Sequence, residues 1–126
     1  MLTSDAHAVL VVEDEAIVNE DVSDALRDDG FDIAQAYSGV EALAVLEERP
    51  DIRVVFTDVA MPGPVDGIRL AAEVRRRWPH IDVLITSGNQ IAEVRRPEVL
   101  ADAAHFVAKP CPAAHIARRI RAIVGS

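Results

Sequence analysis

Short apolar runs and helix-like segments alternate five times along this chain, with no linker, repeat or low-complexity tract between them. That alternation leaves few folds open. Successive strands separated by a helix run parallel, and the crossover between them is right-handed. The runs lie at about Ala8 to Glu13, Asp32 to Ala36, Arg53 to Thr57, Ile81 to Thr86 and His105 to Ala108. The first, third and fourth are the most continuously apolar, which predicts central strands covered on both faces. The reading is an α/β fold with a doubly wound, five-stranded parallel sheet of order 2-1-3-4-5. A length of 126 residues suits one domain with a single core, spanning about residues 8–124.

Helix signals fill the intervals. Val18, Val22, Ala25 and Leu26 mark an amphipathic helix that stops near Gly30. Ser38-Gly39-Val40-Glu41 reads as a capping box opening a helix that Pro50 closes. A third helix runs from about Asp66 to Trp78, with Leu70, Val74 and Trp78 on one face, and Pro79 stops it. Between Gln90 and Asp102, Pro97 shortens or breaks any helix. The last helix takes Pro112 as its first residue and buries Ala113, Ile116, Ala117, Ile120, Ile123 and Val124.

Charge and composition exclude several classes of function. A net charge of −8 argues against nucleic-acid binding by the chain itself, because phosphate contacts need a basic patch. The densest basic run, Arg75-Arg76-Arg77, reads as the solvated end of a helix. No apolar run approaches the roughly 18 residues of a membrane span, and the start lacks the basic region of a signal peptide. With one cysteine, Cys111, no intrachain disulfide forms, which points to a cytoplasmic protein. Cys111 itself reads as structural rather than as a redox sensor. The four histidines (His7, His80, His105 and His115) have no metal-ligand spacing. Against twelve arginines stands one lysine, Lys109.

The acids at two strand ends carry the chemistry. Asp58 ends the run Val54-Val55-Phe56-Thr57, and Glu13 and Asp14 end Val9-Leu10-Val11-Val12. In a doubly wound sheet of this order, the binding crevice lies at the carboxyl ends of the first and third strands. Two like charges about 4 Å apart repel by roughly 4 kcal/mol at an effective dielectric near 20, so either one carboxylate is protonated or a cation sits between them. Mg²⁺ fits that role, being held by one or two carboxylates, phosphate oxygens and water. Ser87, followed by Gly88, offers a hydroxyl after the fourth strand, and Lys109, tied by Pro110, an ammonium after the fifth. A divalent ion, a lysine and a hydroxyl converging on one carboxylate cradle a phosphoryl group, and the carboxylate itself can accept it.

These residues resemble the receiver domain of two-component response regulators. The resemblance covers about Ala8 to Val124 and rests on Val-Val-Glu-Asp-Glu (11–15), Thr-Asp-Val-Ala-Met-Pro (57–62), Asp66-Gly67, Ile-Thr-Ser-Gly (85–88) and Lys109-Pro110. It implies a flavodoxin-like (βα)5 architecture with Asp58 as phosphoacceptor. Mg²⁺ would be held by Glu13, Asp14, Asp58 and the backbone carbonyl of Ala60. Ser87 matches the switch hydroxyl and Lys109 its phosphoryl-pairing lysine. Phe106 matches the aromatic switch residue, and the Lys109–Pro110 bond is expected to be cis. The implied function is a signalling receiver rather than a dedicated enzyme, one that promotes its own phosphorylation and dephosphorylation. Its partners would be a histidine kinase or phosphotransfer protein and a downstream protein target.

Three departures from the family pattern stand out. The loop from Asp58 to Asp66-Gly67 is one residue longer than the commonest form, through Gly63-Pro64-Val65. Ala60 stands where a polar residue often helps place the attacking water, which predicts slow self-dephosphorylation. Pro97 falls in a segment that normally belongs to the output face. Thr86 competes with Ser87 for the hydroxyl role, and the following Gly88 favours Ser87. A phosphohydrolase of the haloacid dehalogenase type also uses a strand-end Asp, a hydroxyl and a Lys. That class needs a second Asp two residues after the nucleophile, where this chain has Ala60. The chain ending at Ser126, just after the last helix, suggests a receiver without an output domain.

Overall fold

Val9 to Val12 form a strand with no face left for water, and the rest of the architecture follows from covering both of its sides. A computed structural model describes residues 7–87, 104–108 and 112–125. The described elements are β1 (Ala8–Val12), α1 (Ala16–Asp28), β2 (Asp32–Ala36), α2 (Gly39–Glu48), β3 (Ile52–Asp58), α3 (Gly67–Arg77), β4 (Asp82–Ser87), β5 (Ala104–Ala108) and α4 (Ala113–Val124). The five strands form one parallel sheet of order β2-β1-β3-β4-β5, the order expected from the alternation. The segment from Gln90 to Asp102, with Pro97, lies between β4 and β5 in the chain and outside the described residues.

Strand alternation splits the apolar residues of β1 between two layers. Leu10 and Val12 face α2 and α3, where they meet Leu46, Leu70 and Val74. Val9 and Val11 face α1 and α4, against Leu26, Phe56, Ile116 and Ile120. The expected single core is therefore two apolar layers divided by the sheet.

Helix α1 differs from its expected face. Its buried residues are Asn19, Val22, Ser23 and Leu26, whereas Val18 is exposed and Ala25 only half-buried. An apolar count alone turned the helix too far, because two polar residues on the buried face satisfy each other and the strand ends. Helix α2 starts as expected, with Ser38 Oγ accepting the Glu41 N–H at 3.1 Å, but Glu41 returns its carboxylate to the Tyr37 N–H at 2.6 Å. Asp66 caps α3 by accepting the Arg69 N–H at 2.8 Å. Pro112 is the N-cap of α4 rather than its first helical residue. Its ψ of 147° is extended, and its carbonyl accepts the first helical N–H groups, those of His115 and Ile116. Within α4, Ala113 and Ile123 are only half-buried.

The arginines closing α3 are all engaged. Arg75 donates to the Pro79 carbonyl, Arg76 pairs with Glu73, and Arg77 pairs with Glu47 while stacking on Trp78. Glu73 holds its proton less tightly than an ordinary glutamate, first because of its hydrogen bond with Arg76. This is a solvated helix end, as its composition implies. No helix among the described residues is long and apolar enough to cross a membrane.

Candidate functional site

Asp58 is the last residue of β3, a central strand, and Glu13 follows the last residue of β1 beside it. The β1–β3 register runs to Val12 opposite Thr57, so Glu13 and Asp58 succeed a paired position on strands about 4.8 Å apart. Both are buried, at 6% and 8% exposure, whereas Asp14 is exposed. The structure thus brings two of the three expected acids side by side under cover and leaves the third at the rim.

Each buried acid is held by backbone. Glu13 Oε2 accepts the Glu15 N–H at 3.1 Å, which places a carboxylate against the N-terminus of α1, the positive end of its dipole. Asp58 Oδ1 accepts the N–H of Ala60 at 3.2 Å, a turn in which an aspartate holds the backbone two residues on. That bond curls the chain so that the Ala60 residue lies next to the Asp58 carboxylate.

The loop after Asp58 is built by contacts at both of its ends. Val59 donates to the Thr86 carbonyl at 3.0 Å, which extends the β3–β4 pairing, and Gly67 donates to the Val59 carbonyl at 2.9 Å. Any side chain at Gly67 would sit 2.8 Å from the Asp58 carbonyl carbon and 2.8 Å from Val59 Cα, so α3 reaches the site only because residue 67 is glycine. In the middle, Gly63 takes a φ of +94°, a conformation suited to glycine, between two prolines. Val65 then packs into a notch at Gly39, where an added Cβ would lie 2.6 Å from Val65 Cγ1. The Gly63 turn and the Val65–Gly39 contact thus fix the loop against the start of α2.

The other expected site residues divide. Ser87 closes β4, opposite Ala108 of β5, and Phe106 lies within β5. The side chains of both, together with Gly88, Lys109, Pro110 and Cys111, fall outside the described residues. Thr86, the rival hydroxyl, is buried and pairs with Asp58 across β3 and β4.

The donor set decides which cation the site suits. Among the described residues no three histidine, cysteine, aspartate or glutamate side chains converge as a metal cage. Two buried carboxylates, a rim carboxylate and a nearby carbonyl are all hard oxygen donors. They suit Mg²⁺, which takes few protein ligands and keeps water, and not zinc, which favours nitrogen and sulfur.

Sequence patterning missed one residue at this site. Asn19 is completely buried on α1, and its amide donates to the Glu13 carbonyl at 3.1 Å and the Ala36 carbonyl at 3.0 Å. The available signal was the i, i+3, i+4, i+7 set Asn19, Val22, Ser23, Leu26, which a search for apolar residues alone passes over.

A family profile described as "Response regulator receiver domain" matches residues 9–121. The "Probable transcriptional regulatory protein TcrX" of Mycobacterium tuberculosis is 34% identical over 117 residues, which cover 92% of this chain and 49% of that protein. A "Putative response regulator NtrX-like" of Rickettsia felis is 29% identical over 103 residues, covering 81% of this chain and 22% of its own length. The chain therefore spans about half, or less, of these curated relatives. Among solved structures, the receiver domain of NtrX from Brucella abortus superposes with a TM-score of 0.78 at 30% identity, covering 94% of this chain and 99% of that one. A response regulator receiver domain protein from Clostridium thermocellum gives a TM-score of 0.82 at 26% identity, with 94% of each chain covered.

Proposed function

We propose, for a chain that belongs to the family of response regulator receiver domains, that Asp58 is its phosphoacceptor and that the phosphoryl group comes from a histidine kinase or phosphotransfer protein. The observation that carries this reading is the buried Asp58 carboxylate at the end of a central strand, beside buried Glu13, with one oxygen fixed by the Ala60 N–H. In the transfer, an Asp58 carboxylate oxygen forms a new O–P bond as the N–P bond of a phosphohistidine breaks. The departing imidazole keeps the electron pair and takes a proton from water.

Glu13, Asp14, Asp58 and the Ala60 carbonyl are the residues that would hold Mg²⁺. Bound there, Mg²⁺ supplies positive charge to the phosphoryl oxygens and relieves the repulsion between the acids. The chain's own residues do the rest. The Ala60 N–H orients the Asp58 carboxylate, and burial excludes water from it. Lys109 would pair with a phosphoryl oxygen and Ser87 would donate its hydroxyl to another. Movement of Ser87, with Phe106 following, would repack the β4–β5 side of the sheet and shift a two-state equilibrium read by a downstream protein. A cytoplasmic location agrees with a single cysteine and with a cytoplasmic phosphodonor.

The test is the intact mass of the protein after incubation with acetyl phosphate and Mg²⁺. Wild type gains one phosphoryl increment, and neither Asp58→Asn nor wild type in excess chelator gains it. An Asp58→Asn protein that labels as fast as wild type overturns the proposal.

A further inference from the structure

The geometry points to Asn19 as the positioning residue for the Glu13–Asp14 acid pair, an inference that rests on the functional reading above. A buried amide is costly unless all of its hydrogen-bonding capacity is used, and asparagine brings two donors and an oxygen with two lone pairs. Asn19 uses all four. Its Nδ2 donates to the carbonyls of Glu13 and Ala36, at 3.1 and 3.0 Å. Its Oδ1 accepts from Gln35 Nε2 at 2.8 Å and from Ser23 Oγ at 3.2 Å. The two carbonyls stand where β1 and β2 run out, so one side chain of α1 ties both strand ends together.

Glu13 is fixed from every side as a result. Its N–H donates to the Ala36 carbonyl at 3.1 Å, its carbonyl accepts from Asn19, and its carboxylate accepts the Glu15 N–H. Asp14 lies inside the short bridge from the Glu13 carboxylate to Glu15, so the peptide that presents Asp14 is set by how Glu13 is held. Asn19 spends its whole amide on the Glu13 and Ala36 carbonyls, Gln35 and Ser23. It acts through the orientation of Glu13 and of the peptide that follows.

Outer residues that orient metal ligands typically govern 10- to 100-fold in affinity, so Asn19→Ala is expected to weaken Mg²⁺ binding about 10-fold. The measurement is isothermal titration of the full chain with MgCl₂, alongside urea unfolding and hydrogen exchange at the Asp14 and Glu15 amides. Ile120→Val separates positioning from stability. It trims a fully buried side chain of α4 outside this network, so it lowers the urea midpoint while keeping wild-type Mg²⁺ affinity. If Asn19→Ala does not fold, Gln35→Ala at the half-buried edge of the network loosens the same amide and weakens Mg²⁺ about twofold. Faster exchange at Asp14 and Glu15, together with weaker Mg²⁺ binding, supports the inference. Wild-type Mg²⁺ affinity in folded Asn19→Ala, or in Gln35→Ala, overturns it and leaves the functional reading standing. A wild-type protein that binds no Mg²⁺ overturns both.

Discussion

Replacing Gly67 by alanine tests how closely the site depends on the approach of α3 to Asp58. The new Cβ would run into the Asp58 carbonyl oxygen, its nearest neighbour, and would also lie 2.8 Å from both the Asp58 carbonyl carbon and Val59 Cα, about 0.6 Å inside the 3.4 Å at which ordinary contact begins. Both neighbours are backbone, so no side-chain rotation relieves the clash. The N-terminus of α3 or the end of β3 must shift, straining the Gly67 N–H bond to the Val59 carbonyl. Overpacking of this kind costs about 1–3 kcal/mol, and a weakened hydrogen bond adds about 1 kcal/mol. Urea unfolding should therefore show a loss of about 2–4 kcal/mol. The shift also moves Asp58. Because a misplacement of about 1 Å can cost on the order of 100-fold in rate, about half that displacement should slow phosphoryl uptake from acetyl phosphate roughly 10-fold. Gly30→Ala is the control. Its φ of +97° makes alanine cost about 1 kcal/mol, but nothing lies within 4 Å of the added Cβ, so the labelling rate should not change. A Gly67→Ala protein with wild-type stability and labelling rate would refute the reasoning.

Other substitutions probe separate parts of the account. Ile120 is fully buried on α4 against the sheet, so Ile120→Ala should cost about 2–5 kcal/mol in urea unfolding. Ala60→Asn restores a polar side chain beside the Asp58 carboxylate and should shorten the phosphoryl lifetime, measured as the decay of the phosphorylated mass. Asp51 is held below the usual carboxylate range, first by its hydrogen bond with Arg49. A depressed folded value means that this pair stabilises at neutral pH and that the contribution is lost as pH falls through that value. Because Asp51 is half-exposed, Asp51→Asn should cost at most about 1 kcal/mol at pH 7, and the difference from wild type should vanish in acid unfolding curves.

The parts of the fold most legible in the sequence are those where one physical requirement dominates. Val9 to Val12 had to be covered on both faces, and the parallel order follows from helices placed between strands. Asp58 and Glu13 announced themselves because charges at the ends of apolar runs are costly, and both are buried. Asn19 is illegible to an apolar search because its burial depends on the Glu13 and Ala36 carbonyls at the strand ends, and Ser23 because its burial depends in turn on Asn19. Gly67 stood in a recognised motif, but its reason lies in the backbone of β3, which it approaches only after folding. Pro112 was placed one position too far into its helix, since its φ of −61° suits either place and only its ψ separates them.

The central claim is that Asp58 receives the phosphoryl group, and locating that group on the chain tests it most directly. Protein phosphorylated with acetyl phosphate and Mg²⁺ is treated with borohydride, which reduces an aspartyl phosphate to homoserine, and is then digested for peptide mass spectrometry. The account predicts homoserine at position 58 and nowhere else, dependent on Mg²⁺. Homoserine at Asp14 or another aspartate, or the five-carbon alcohol 5-hydroxynorvaline at Glu13 or another glutamate, with Asp58 unchanged, would contradict it.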